Sequence, residues 1–178
     1  MAVELQFGPL WTVEQYLELE RDSPIRHEYH GGYVYAMAGG TQAHNLITSN
    51  MIAMLRIAVR GGPYRAFVAD IKVRQSKEHY VYPDVVVTCD PRDYAPNRVW
   101  VDCPTLVVEV LSKSTERHDR GDKFEGYKRI STLREYMLVE YKRRGVEVWR
   151  RTEDDIWAVI SYGPGTDVTL EHGLKIVG

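Results

Sequence analysis

The sequence predicts an α/β (α+β) fold, a central mixed β-sheet flanked by helices and preceded by an N-terminal helix and a β-hairpin. Three observations predict it. Two separate stretches, 12–22 and 41–60, carry apolar residues at three- and four-residue steps, as amphipathic helices do. Several short runs rich in Val, Ile and Tyr, bounded by Gly, Pro and Asp, read as strands. The two patterns interleave as helix, hairpin, helix, strands, helix, strands, without an internal repeat or low-complexity tract.

Taken in order, Thr12 ahead of Glu14 and Gln15, followed by Tyr16, Leu17 and Leu19, is a helix start with a capping hydroxyl and an acid in the first turn. That helix ends near Asp22-Ser23-Pro24. HEYHGGYVYAMAG alternates around Gly31-Gly32, which predicts a β-hairpin with Glu28 on its first arm. Ile47, Met51, Leu55 and Ala58 form one stripe of a second helix between Thr41 and Arg60; His44 begins the stripe and Gly61-Gly62-Pro63 ends it. YRAFVA, IKVRQ and the run after Asp84, with turn-like Ser76-Lys77-Glu78-His79 among them, predict a meander. The proline-bearing spacer from Asp90 to Pro104 reads as a loop into a strand that contains Glu109. A helix pattern resumes from about Arg117 to Ile130, and LREYMLVEY, VEVWRR, IWAVISYG and VTLEHGLKI read as closing strands.

At 178 residues, 44% apolar and 27% charged, the chain has the size and composition of one globular domain spanning 1–178. No apolar run reaches 18 residues, and MAVELQFGPLW is too short and mixed for a signal peptide, so a soluble cytoplasmic protein with no membrane partner is expected. Cys89 and Cys103 lack a second pair or a histidine at zinc spacing, which argues against a disulfide framework and a zinc knuckle. His27, His30, His79, His118 and His172 show no metal-ligand spacing either. A net charge of −2 does not announce a nucleic-acid binder. The charge is unevenly placed, however: Lys113 to Arg151 holds 12 Lys/Arg against 7 Asp/Glu. That excess could receive a polyanion or be a solvated surface.

The chemistry concentrates between Tyr82 and Lys123. Val85-Val86-Val87 and Leu106-Val107-Val108 are apolar β-branched runs, and each carries an acid where burial should forbid one: Asp84 at the mouth of the first, Glu109 inside the second. A bare buried carboxylate costs several kcal/mol, so each must be paired, protonated or bound to a cation. If the strands are neighbours, both acids can converge on one hard divalent ion, for which oxygen ligands suit Mg²⁺ or Mn²⁺. Such an ion activates water and neutralises charge on a phosphodiester, and a nearby lysine adds to that stabilisation.

PDVVV, VVEVLS, STERHDRGDKFEGYKRI and LREYMLVE together resemble the Uma-type putative restriction endonuclease family of the PD-(D/E)XK nuclease superfamily. TVEQYLEL, HEYHGGYVYAMAG, the His44 helix and the last strands also follow that family's order. The resemblance implies a restriction-endonuclease-like core, Mg²⁺ or Mn²⁺ as cofactor, double-stranded DNA as partner and a homodimer. It implies Asp84 and Glu109 as metal-binding acids. The superfamily's lysine normally stands two residues after the second acid, where this chain has Leu111. Relatives supply it from the following helix, which points to Lys123, with Lys113 as its rival. Glu28 resembles an acid brought to such sites from an early element, and His44 would share the rim with it.

Each residue also has a plainer reading. Asp84 could cap a turn; Glu109 could pair with Lys72, Arg74 or Lys123; Lys123 could form a helix-surface pair with Asp119; His44 could be a hydrogen-bonded core histidine. Asp70 and Lys72 read as neighbouring-strand surface. A nuclease-like domain without cleavage, serving as a nucleic-acid or protein interaction module, is the alternative function, and an enzyme acting on RNA or another phosphodiester is a third.

Overall fold

The structure, a computed structural model, describes residues 3–4, 10–140, 142, 144–171 and 175–176. Thr12 caps α1 (Val13–Asp22) through a reciprocal box: its hydroxyl accepts from the Gln15 amide and the Gln15 side chain accepts from the Thr12 amide. β2 (His27–His30) and β3 (Tyr33–Ala36) form the hairpin, turned by Gly31 and Gly32 at φ 55° and 96°, values that suit glycine because it lacks a Cβ. A short β1 (Val3–Glu4) pairs outside β3. α2 (Gln42–Ala58) buries Met51 and Leu55 of the predicted stripe, together with Thr48.

Two six-stranded sheets follow where one was expected. The larger is mixed, in the order β12-β11-β10-β9-β7-β4, and is built from β4 (Arg65–Val68), β7 (Val85–Thr88), β9 (Pro104–Val110), β10 (Glu135–Glu140), β11 (Gly145–Arg151) and β12 (Trp157–Tyr162). Only β9 and β10 run parallel within it. The smaller sheet has the order β1-β3-β2-β6-β5-β8, with β5 (Lys72–Ser76), β6 (His79–Val81) and β8 (Trp100–Val101).

The expected meander is therefore wrong. β4 pairs directly with β7, while β5 and β6 leave as a hairpin into the other sheet. The reason lies in burial. All four residues of β7 are buried, so it needs a strand on each edge and cover on both faces, which β4, β9 and the two cores supply. The spacer after Asp90 is likewise less of a loop than predicted, since it contains a 3₁₀ turn at Pro91–Asp93 and β8. VTLEHGLKI forms two short paired strands, β13 (Val168–Thr169) and β14 (Lys175–Ile176), and His172 lies outside the described residues.

Alternation sends successive residues of the large sheet into different cores. Val85, Val87, Val108 and Val110 pack with Met51 and Leu55 of α2. Val86, Val107 and Leu111 pack with Val73, Val81 and Val101 of the small sheet and with Phe124 and Tyr127. Each such valine contributes about 1.5–3 kcal/mol. The helix expected from Arg117 to Ile130 is two helices, α3 (Glu116–Arg120) and α4 (Asp122–Lys128), broken at Gly121 with φ −109° and ψ −112°. Phe124 docks α4 on β10 by stacking on Tyr136 at 4.6 Å between ring centroids. No helix among the described residues is long and apolar enough to cross a membrane.

Candidate active site

β7 and β9 are antiparallel with Val85 opposite Val108 and Val86 opposite Val107. One step back along the same register, Asp84 lies opposite Glu109. Directly opposed residues of an antiparallel pair share a face with about 5 Å between their Cβ atoms. Pro83 precedes Asp84 at the strand mouth, where no amide donor is required. The Asp84 Oδ2 accepts from the Val110 amide at 2.7 Å and stands 3.2 Å from the His44 Nε2. That hydrogen bond raises the His44 pKa, against partial burial, and the Asp84 charge adds to it. His44 is thus placed beside a site acid at the start of α2 rather than inside the core.

Glu109 is buried on the facing strand, and Lys123 reaches it from α4 at 3.0 Å. The lysine is itself buried and makes further contacts with Glu28 Oε1 at 3.4 Å, Asp119 Oδ1 at 3.8 Å and the Tyr82 carbonyl at 2.9 Å. Its position is set by a close approach. A Cβ on Gly126 would fall 2.1 Å from the Gln75 side chain, so glycine admits Gln75, whose Nε2 donates to the Lys123 carbonyl at 2.8 Å. Lys113, the rival lysine, lies past the end of β9 and is exposed, and Leu111 is buried in the apolar core.

Glu28 arrives from β2. The Tyr82 amide donates to its Oε1 at 3.0 Å, while its Oε2 faces the Nε2 atoms of His30 at 3.4 Å and His118 at 3.8 Å. Asp119, read from the sequence as half of a surface pair, is buried, and Tyr127 donates to Glu109 Oε1 at 3.3 Å. Their spacing of four on either side of Lys123 was the available signal, and only packing against Tyr136 turns that face inward.

The electrostatics follow from crowding. Burial pushes the Glu109 carboxyl well above the usual carboxylate range; Lys123 opposes the shift, and Asp119 and Asp84 reinforce it. Burial also raises Asp119 against the pull of Lys123. For Glu28 burial is outweighed by Lys123, His118, His30 and the Tyr82 amide, which hold it well below. Burial disfavours the Lys123 ammonium, yet Glu109, Glu28 and Asp119 keep it protonated far above its ordinary range. Four carboxylates share one ammonium and the imidazoles of His44, His30 and His118, with Glu28, Glu109 and Asp119 all on Lys123, so negative charge is crowded there. A proton on Glu109 or a bound divalent cation relieves it. An all-oxygen donor set facing that crowded charge fits a hard ion such as Mg²⁺ or Mn²⁺.

Two sequence readings need correction here. Lys72 is buried rather than surface: its Nζ donates to the Tyr82 hydroxyl at 3.1 Å and lies 3.9 Å from Glu20, away from Glu109. His30 and His118, set aside for lack of spacing, stand with Glu28 so that one ligand atom from each lies within 4.8 Å of the others. HEYH did signal half of this, since residues two apart on a strand share a face. Asp70 is exposed in a pair with Arg26.

The family profile Uma2, described as "Putative restriction endonuclease", matches residues 13–177. The uncharacterized protein slr1290 of Synechocystis sp. is 36% identical over 155 residues, 86% of this chain and 81% of that protein. A second uncharacterized Synechocystis protein, sll1609, is 31% identical over 148 residues, 82% of this chain and 84% of that protein. A crystal structure from Anabaena variabilis ATCC 29413, titled a putative nuclease belonging to DUF820, superimposes with a TM-score of 0.74 at 16% identity, covering 92% of this chain and 91% of that one. The fold is thus shared with that structure.

Proposed function

The chain belongs to the Uma2 putative restriction endonuclease family, and from that premise we propose that it is a divalent-metal-dependent endonuclease that hydrolyses DNA phosphodiester bonds. The observation that carries the reading is the convergence of Asp84 and Glu109 from adjacent strands beside a buried lysine. Asp84 and Glu109 would hold Mg²⁺ or Mn²⁺. The ion, when bound, supplies an activated water and neutralises charge on the scissile phosphate.

The chain's own residues do the rest. Lys123 stays an ammonium, so it cannot serve as a base. It acts by presenting N–H donors and positive charge to the attacking water or to the phosphate oxygens as charge builds on them. Glu28 Oε1 and the Tyr82 carbonyl fix the direction of that ammonium. His44 at the rim holds Asp84 Oδ2, with the Val110 amide sharing that oxygen. Rigid strands and a docked helix pre-organise the group, as catalytic positioning requires.

Double-stranded DNA as substrate, a homodimer that brings two sites together by two-fold symmetry, and a cytoplasmic setting belong to the same proposal. The test is plasmid incubated with pure protein and Mg²⁺ or Mn²⁺, beside Asp84→Ala and Lys123→Ala. Cleavage by the parent protein and its loss in both variants is the expected result. Absence of cleavage on plasmid, linear, nicked and single-stranded DNA, with salt-sensitive binding retained, would favour the interaction module. Parallel assays on RNA separate the remaining reading.

A further inference from the structure

We propose that Glu28, His30 and His118 form a second cation site, for a borderline divalent ion of the Zn²⁺ class, back to back with the Lys123 cluster. β2 presents Glu28 and His30 on one face and α3 brings His118 across to them. From Glu28 Oε2 the two imidazole Nε2 atoms are 3.4 Å and 3.8 Å away, and all three ligand atoms lie within 4.8 Å of one another. A tetrahedral ion with bonds of about 2.0–2.1 Å spaces its ligands by about 3.3 Å. Two edges of the triangle are close to that spacing, and the rest of the closure needs only imidazole rotation.

Three further features point the same way. The Glu28 carboxylate is divided: Oε1 is engaged by the Tyr82 amide and Lys123, so Oε2 can take an ion without releasing either. Two imidazole nitrogens and one carboxylate oxygen suit Zn²⁺, Co²⁺ or Ni²⁺, whereas Mg²⁺ demands oxygen ligands. The site is also reachable. The His118 side chain is 41% exposed, and His30 lines a cleft of about 220 Å³ shared with His79, Asp122, Glu125 and Arg129. An ion held there by three protein groups keeps a fourth position for water or for a group on a bound molecule.

Co²⁺ titration of the full chain, followed by its visible absorption bands, tests this in an Asp84→Asn background, which disables the carboxylate site proposed for cleavage. One Co²⁺ per chain is expected. Zn²⁺ should displace it, and a large excess of Mg²⁺ should not. His118→Ala should weaken binding at least tenfold, and His30→Ala with His118→Ala should abolish it, while far-UV circular dichroism and a cooperative unfolding transition in chelator show that both variants remain folded. Binding that survives the double substitution at full affinity, or no Co²⁺ bound before it, would overturn the assignment. The readout is independent of DNA cleavage, so it stands whether or not the protein cuts.

Discussion

Tyr82 separates two buried ionic clusters that are built from similar residues and balanced differently. On its hydroxyl side, Glu20 meets Lys72, the Tyr82 hydroxyl, and both the amide and Nδ1 of His27, the last at 2.8 Å. One acid there faces one ammonium, a phenol hydroxyl, an imidazole and a backbone amide. On its backbone side, Glu28, Glu109 and Asp119 crowd around Lys123, while Asp84 pairs with His44 and Glu28 also meets His30 and His118. Among the described residues, none of the side-chain atoms of either cluster is buried without a partner. The contrast therefore lies in charge rather than in hydrogen bonding. A balanced cluster fixes α1 and the hairpin to the small sheet. An unbalanced one tolerates its acids only with a proton or an added cation, and that is the condition a metal-dependent site needs.

Removing a charge should act mainly on cleavage on one side and mainly on stability on the other, and the largest expected effect is on the unbalanced one. Asp84→Ala should lower metal-dependent cleavage by about a thousandfold or more, equivalent to about 4 kcal/mol of barrier. The same substitution should lower the metal-free melting temperature only modestly, because the repulsion it removes from Glu109 offsets part of the hydrogen bond lost by the Val110 amide. Plasmid nicking rates and differential scanning fluorimetry in chelator measure both. Cleavage at the parental rate would remove Asp84 from the site.

In the balanced cluster the reverse is expected. Lys72→Met leaves Glu20 buried without its cation, which typically costs about 3–5 kcal/mol. Chemical denaturation should show a loss of that size, with cleavage per folded molecule unchanged within a few-fold. A loss below about 1 kcal/mol would mean that the Glu20 cluster is not the fixture that the comparison makes it.

The third effect links metal, proton and stability. Mn²⁺ at about a hundred times its dissociation constant should stabilise the protein by about 2.7 kcal/mol, and Asp84→Ala should lose that gain. Glu109 has a folded pKa raised by burial. The sign follows directly: its contribution to metal-free stability is complete below the unfolded value near 4.3 and is lost as pH rises through the folded value. Across that same window a metal must displace the proton, so the Mn²⁺-induced rise in melting temperature should grow with pH. A rise that is flat, or that shrinks with pH, would exclude Glu109 as the group that exchanges.

How much of this was legible in the sequence depended on whether a residue contradicted its own neighbourhood. Asp84 and Glu109 stood out because valine runs exclude carboxylates, and the family resemblance then singled out Lys123 through the motif around it. Glu20 and Lys72 broke no local rule. An acid near the end of α1 and a lysine in the polar-looking IKVRQ become buried when α1 is laid over the small sheet. The division into two sheets was hidden for a related reason: strand alternation is a property of each run, while the choice between β4 and β5 as the partner of β7 is made by burial on both faces. His30 and His118 come from β2 and α3, and local spacing cannot bring together ligands so far apart along the chain.

The smallest expected effect cuts between the clusters themselves. Tyr82 gives its hydroxyl to Glu20 and Lys72, but its backbone amide to Glu28 and its backbone carbonyl to Lys123. Tyr82→Phe removes only the hydroxyl. Buried groups that lose one hydrogen-bond partner cost about 1–3 kcal/mol, and the ring volume is preserved, so no cavity adds to that figure. The backbone contacts to the other cluster survive, because they do not depend on the side chain. Denaturation midpoints should therefore fall while the Mn²⁺ dissociation constant and kcat stay within about threefold. If kcat or metal affinity falls together with stability, the two clusters are one coupled network, and the division drawn at Tyr82 is in the wrong place.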